Sequence, residues 1–154
     1  AREEIRVMTP YFLPPRELIA AFHLAVKRGV KITIILPATN DQAVVHWAAQ
    51  HMLPEILELG VRVYFQPPPF AHTKHLMVDR SYAILGSANL DPRSLRLNFE
   101  LGLEVFDPEF TKILIAHFEK IRHVSRELTL EEIRERPLPV RLRDAVCWLF
   151  SPYL

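Results

Sequence analysis

Cysteine is nearly missing from this chain. Cys147 is the only one among 154 residues. A disulfide framework and a zinc cluster built on thiolates are therefore excluded, and a reducing compartment is compatible. Long apolar runs are also missing. None approaches the roughly 20 residues that a membrane-spanning helix requires, and the N-terminus lacks the pattern of a signal peptide. No sign of charge dominates: 19 Lys and Arg stand against 18 Asp and Glu, a formal net charge of +1. That balance speaks against a general nucleic-acid coat and leaves room only for a local basic patch. There is no internal repeat, no low-complexity segment and no initiator Met. Strand-like sequence begins almost at once, so the expectation is a processed or excised piece of a longer protein.

What is present has the balance of an ordinary globular domain, 49% hydrophobic and 24% charged, and a length that fits one domain. Ile5 to Met8 alternates as a strand. Pro14 and Pro15 precede a helix whose apolar face is Leu18, Ala21, Phe22, Ala25 and Val26, closed by Gly29. Lys31 to Leu36 is a β-branched strand stopped by Pro37. Asn40 or Asp41 can cap a second helix to about Met52, with Pro54 breaking or restarting it and Gly60 ending it. Val61 to Phe65 is a third strand, and Pro67 to Pro69 force an extended loop. Further strands are expected at 72–78, 82–85 and 98–106. Asp107-Pro108-Glu109 opens a helix with a buried stripe of Phe110, Ile113, Leu114, His117, Phe118 and Ile121. Short helical stretches follow at 130–136 and 140–150. This order predicts an α/β sandwich with a mixed sheet.

The chemistry concentrates in residues 72–100, HTKHLMVDRSYAILGSANLDPRSLRLNFE. Its fixed points are His72, Lys74, Asp79, Gly86, Ser87 and Asn89. Residues two apart on a strand share a face, so His72 and Lys74 point the same way. A two-residue turn at Arg80-Ser81 would pair Asp79 with Tyr82. It would also set His72 opposite Asn89 and Lys74 opposite Ser87, all on one face. A three-residue turn would send Ser87 and Asn89 to the far face. An imidazole can attack phosphorus or protonate a leaving oxygen. An ammonium supplies fixed charge for phosphoryl oxygens, hydroxyl and amide groups supply donors, and Gly86 allows a close backbone approach. The histidine needs an orienting carboxylate, for which Asp79 and Glu100 are the candidates. Glu100 reaches only if its strand lies beside the hairpin.

The pattern HxK(x)4D(x)6GSxN resembles the HKD motif of the phospholipase D superfamily. Six letters at fixed offsets arise by chance roughly once in tens of millions of starts. The flanks TPYFLP at 9–14, SANLDPRSLRLNFE at 87–100 and WLFSPYL at 148–154 look like the C-terminal catalytic half of the bacterial cardiolipin synthases. The resemblance implies a phospholipase D-like αβα sandwich with a mixed sheet and one HKD half. It implies phosphatidyl transfer through a phosphohistidine, with phosphatidylglycerol as substrate and cardiolipin as product. His72 matches a catalytic histidine, Lys74 the phosphate-binding lysine, and Asp79 the motif aspartate, whose role is more structural or indirect. Ser87 and Asn89 match the phosphate-side polar residues, and Glu100 the carboxylate that holds a histidine. No metal and no cofactor are implied.

Only one such motif is present. His23, His46, His51, His117 and His123 all lack a lysine two positions later. The resemblance therefore implies half a site, completed by a second HKD half in cis or in a homodimer. In two-motif members the C-terminal histidine is the acid/base, the role implied for His72 in a fragment; in a homodimer either role is open. The implied location is the cytoplasmic face of a bacterial cell membrane, peripheral or anchored by an N-terminal segment outside this chain. Two other readings stand beside this one. One is a homodimeric phospholipase D-type phosphodiesterase or nuclease, against which the near-neutral charge speaks, so no nucleic-acid partner is expected. The other is a non-catalytic module that docks through its sheet.

Blander roles are weighed residue by residue. Asp79 can simply stabilise a turn. Asp91 and Ser94 fit a helix cap, and Arg93 can cap or bind phosphate. His75 faces away from His72. His46 and His51 fall on different helix faces, which argues against a metal pair. Tyr11 and Phe12 can line a lipid channel or pack in the core. Residues 1–136 are expected to form the phospholipase D-like domain, with the motif at 72–89. Residues 137–154 would form an amphipathic tail on the domain, a partner or a membrane surface.

Overall fold

The structure, a computed structural model, describes residues 1–153; Leu154, the last residue of the expected tail, lies outside the described residues. Seven strands form one mixed sheet. They are β1 (Glu4–Met8), β2 (Lys31–Pro37), β3 (Arg62–Gln66), β4 (His75–Val78), β5 (Tyr82–Gly86), β6 (Gly102–Val105) and β7 (Arg126–Leu128). Their order across the sheet is β6-β5-β4-β1-β2-β3-β7. The pairs β1–β2 and β2–β3 are parallel, joined by α1 (Arg16–Lys27) and α2 (Ala43–Glu58), and the remaining pairs are antiparallel. The chain is the expected α/β sandwich.

Strand alternation sorts the core into two layers. Val7, Ile32, Ile34 and Val63 face α1 and α2, where they meet Phe22, Leu53 and Ile56. Their neighbours Met8, Ile35 and Tyr64 face the other way, with Met77 and Ala83, under Phe118 of α4 (Pro108–Val124). Asp107 caps α4, accepting from the Phe110 amide at 2.8 Å. Beyond α4 come two helices on the α2 side of the sheet: α5 (Leu130–Arg134), opened by a Thr129–Glu132 capping box, and α6 (Leu138–Leu149), which lies on α2.

Several sequence expectations are corrected. Helix α2 starts after Gln42 and runs unbroken through Pro54. An interior proline costs about 3 kcal/mol. Leu53 and Ile56 on either side of it are fully buried, each worth about 1.5–3 kcal/mol, so burial wins. Asn40 does not cap the helix; its amide donates to the Pro10 carbonyl at 3.0 Å and its oxygen accepts from the Gln42 amide at 2.8 Å. The strands expected from 72 and from 98 start at His75 and Gly102. Strand β7 was not legible, being three residues long and charged at two of them. Of the α4 stripe only Phe118 is buried; Leu114 and Ile121 are half-buried, and Phe110, Ile113 and His117 are exposed. The sheet ends at β6, and among the described residues that end of the helix is left uncovered.

Candidate active site

The loop from the end of β3 to the start of β4 carries His72 and Lys74 to the carboxyl ends of the parallel strands. Loops gather there in α/β folds. The Lys74 Nζ lies 2.7 Å from Nδ1 of His72 and donates to the His72 carbonyl at 3.0 Å. An ammonium has only donors, so Nδ1 stands as the acceptor in this contact. Two aromatic edges fix the imidazole: Tyr11 at 5.8 Å between ring centroids and Phe70 at 5.3 Å, both nearly perpendicular. Tyr11 is itself tied to Asp41 by a 2.8 Å hydrogen bond. Burial and that bond push the Tyr11 phenol up to about 12. Phe12, its neighbour, is a core residue.

The register of the motif differs from the expectation. Val78, not Asp79, pairs with Tyr82, and His75 pairs with Leu85, so the turn has three residues. Asp79 adopts the left-handed region at φ 55°. Its carboxylate accepts from the amides of Arg2, Glu3 and Glu4, at 2.8 Å for Glu3 and 3.0 Å for Glu4. Asp79 thus pins the entry to β1.

By strand parity a three-residue turn should separate Ser87 from Lys74, yet the site assembles. The reason is that neither end of the motif is strand. His72 and Lys74 precede β4, and the chain leaves β5 at Gly86, so alternation no longer dictates facing. Ser87 turns toward β6 instead. Its amide donates to the Leu101 carbonyl at 3.0 Å, its hydroxyl accepts from the Leu101 amide at 3.0 Å, and it donates to Glu100. Glu100 also accepts from Asn98 at 3.3 Å. These donors, Ser87 above all, hold the Glu100 carboxyl below the usual carboxylate range despite some burial, with Lys74 adding attraction. Burial pushes the Lys74 ammonium below its ordinary value, and Glu100, Asp41 and Asp91 partly offset it. Glu100 therefore sits within electrostatic reach of Lys74 and is hydrogen-bonded to Ser87 and Asn98.

A third segment closes the polar cluster. Phe12 and Leu90 form a parallel bridge, and the Leu13 amide donates to the Leu90 carbonyl at 2.7 Å. This brings the 87–91 loop against the end of β1. Asp91 caps α3 (Pro92–Arg96), accepting from the Ser94 amide at 2.6 Å. Burial pushes the Asp91 carboxyl up, and the Ser94 donors partly counter it. Asn89 donates to the Ser94 hydroxyl at 3.3 Å, and its own oxygen is buried without a partner. Arg93 is exposed on α3. His75 is buried on the opposite side of the sheet from α1 and α2, beside His117. Asp41 and Ser94 were legible only as caps; their place beside the site needs the fold. Among the described residues no group of His, Cys, Asp and Glu could hold a metal ion.

A His–Lys pair, with a hydroxyl–carboxylate pair nearby at the end of a mixed sheet, is the arrangement that the sequence resemblance to a phospholipase D-like half implies. The family model "Cardiolipin synthase, PLD-like domain" matches residues 1–122. The chain is 38% identical over 154 residues to the major cardiolipin synthase ClsA of Bacillus subtilis. It is 42% identical over 155 residues to cardiolipin synthase A of Proteus mirabilis. Both matches cover 100% of this chain and 32% of the relative, so the chain spans about a third of their length. Among solved structures it is similar to the phosphatidylserine synthase of Haemophilus influenzae (TM-score 0.79, 23% identity, 99% of this chain and 42% of that one). It is also similar to Nuc, a phospholipase D family member from Salmonella typhimurium (TM-score 0.72, 22% identity, 83% of each chain). The chain belongs to the cardiolipin synthase family of phospholipase D-like domains.

Proposed function

We propose that this chain supplies one half of a phosphatidyl-transfer site that makes cardiolipin from phosphatidylglycerol. The observation that carries this is the 2.7 Å contact between Lys74 Nζ and His72 Nδ1. It places a fixed positive charge, suited to phosphoryl oxygens, beside an imidazole that can carry a proton to and from an alcohol oxygen. In the first step a histidine of the second half attacks phosphorus of one phosphatidylglycerol. Substrate phosphate draws Lys74 off Nδ1, so His72 enters as imidazolium; the bond from phosphorus to the glycerol oxygen breaks, and that oxygen takes a proton from His72, which is left neutral. In the second step His72 takes the proton of the headgroup hydroxyl of another phosphatidylglycerol. That oxygen bonds to phosphorus, the nitrogen–phosphorus bond breaks, and cardiolipin leaves. Lys74, Ser87 and Asn89 hold the non-bridging oxygens, and Asp79 shapes the hairpin beneath them.

An apolar cleft of about 170 Å³ opens beside Lys74, with Leu90, Leu95 and Leu101 in its wall. It supports a substrate with a hydrocarbon part. The second half is read as docking on the β6 edge, where Leu97, Phe99, Leu101, Leu103, Phe106 and Ile113 are all exposed. Glu100 lies on that edge, within reach of an incoming histidine. No helix among the described residues is long and apolar enough to cross a membrane. The proposed location is the cytoplasmic face of the cell membrane, through peripheral contact or an N-terminal segment outside this chain. In this reading residues 1–136 form the catalytic domain and 137–154 its tail.

The test is conversion of labelled phosphatidylglycerol by this chain joined to an HKD half. Cardiolipin should appear, and His72→Asn should lower the rate by about 10²–10⁴-fold. Turnover left intact by His72→Asn in the completed assembly would overturn the proposal.

A further inference from the structure

At the β7 end of the sheet the chain folds around a cavity of about 620 Å³. Phe65, Leu128 and Ile133 give it apolar surface, and Trp47 of α2, Arg126 of β7 and Arg143 of α6 stand around them. Arg136, also in the wall, and Arg143 share the single carboxylate of Asp144, which is 1% exposed. Arg126 pairs with Glu132. Three guanidinium groups thus face two carboxylates, and one positive charge in the wall has no acidic counterpart.

That charge is held rigidly. Arg143 donates to one oxygen of Asp144 through Nε and Nη2, at 3.0 and 2.8 Å, and its flat face lies 4.2 Å from the centroid of Trp47. A guanidinium fixed in this way loses little freedom on binding an anion. Hydrocarbon beside fixed positive charge suits neither a bare anion nor an uncharged apolar molecule. It suits an amphiphile with a negative head.

A second observation says where such a molecule comes from. Helix α6 buries Asp144 and turns Leu138, Leu142, Val146 and Leu149 outward, each more than half exposed. Their spacing of four, four and three places them on one stripe, opposite Asp144, with Arg143 on the flank between stripe and cavity. An apolar stripe flanked by arginine is the pattern of a helix lying in an anionic interface.

We propose that this cavity is a second lipid site, separate from the His72 pocket, which holds the phosphodiester headgroup of an anionic phospholipid between Arg143 and Arg126 while α6 rests on the bilayer. The site touches the catalytic loop: Pro67 and Pro68 line the cavity, and Phe70 of the same loop packs on His72. The proposal does not depend on the transfer reaction, because binding reads it directly.

Trp47 makes the test possible, since the chain has two tryptophans. In a Trp148→Phe background Trp47 is the sole reporter. Its emission should change saturably with dihexanoylphosphatidylglycerol below its micelle concentration. Dihexanoylphosphatidylcholine and inorganic phosphate should be weaker by about tenfold or more. Arg143→Gln with Arg126→Gln should weaken the anionic lipid by a similar factor at unchanged circular dichroism, since Arg136 still neutralises Asp144. Equal response to inorganic phosphate would overturn the lipid assignment. Unchanged affinity in the double variant, or no change in Trp47 emission, would overturn the site. Failure of cardiolipin synthesis in the assay above would leave this result standing, so the two readings fail separately.

Discussion

Gly86 lies against the backbone of Leu101 so closely that a Cβ on Gly86 would sit 2.2 Å from the Leu101 carbonyl oxygen. This contact is where β5 hands over to β6 and where Ser87 turns to meet Glu100. Leu101 cannot yield, because its carbonyl and amide both bond Ser87. Gly86→Ala is expected to cost about 1–3 kcal/mol of stability and to lower activity by moving Glu100. A thermal melt and the phosphatidylglycerol assay check both parts; an unchanged melt would refute the contact.

Asp79 is expected to act on stability rather than on the reaction. Partial burial pushes its carboxyl up, but the amides of Glu4, Glu3 and Arg2 outweigh that and hold it below its ordinary value of 3.8. The stability it contributes is present above that value and is lost as pH falls through the depressed one. Asp79→Asn should cost about 2 kcal/mol at neutral pH, while short-chain substrate still binds with near-native affinity at 20 °C. Denaturant melts and substrate titration separate the two effects.

His75 introduces a second pH dependence with its own window. Burial, reinforced by His117, pushes its imidazole down to about 4, and its Nε2 has no hydrogen-bond partner. The unfolded chain takes up a proton near the ordinary 6.5, and the folded chain does so only near 4. Stability therefore falls as pH drops between those values, by about 3 kcal/mol in all, and is flat with respect to this group outside them. His75→Leu should flatten the melting curve in that interval; an unaltered pH profile would exclude the effect.

Leu103 sits in β6, exposed, on the strand proposed to meet the second half. Leu103→Glu should leave the melting temperature of the chain within a few degrees, because the side chain contacts solvent. It should weaken association with the second half by about 2 kcal/mol or more, read by analytical ultracentrifugation. Association that survives the charge would place the docking surface elsewhere.

Much of the fold was legible from residues 1–66, where proline, glycine and β-branched runs punctuate regular strand–helix units. Pro54 misled because local propensity does not see Leu53 and Ile56 going into the core. The site was legible in its members but not in its geometry. His72, Lys74, Ser87 and Glu100 do share one region, but the reasoning from strand parity failed: the turn has three residues and both ends of the motif leave the sheet. The bracing of His72 by Tyr11 and Phe70 was not visible at all, since it depends on two loops meeting from different ends of the chain. The half-exposed α4 stripe looks like core in sequence, because an amphipathic helix face has the same periodicity whether or not its own chain covers it.

The two borders of the sheet are unlike. One is greasy at Leu101 and Leu103; the other, β7, ends in Arg126 and Glu127, already tied to Glu132 and Arg62. In the proposed docking a neighbour adds on the greasy side, and a neighbour of the same fold then shows the same saline border outward. On that proposal growth stops after a single addition, and a bare strand edge becomes a device that counts to two.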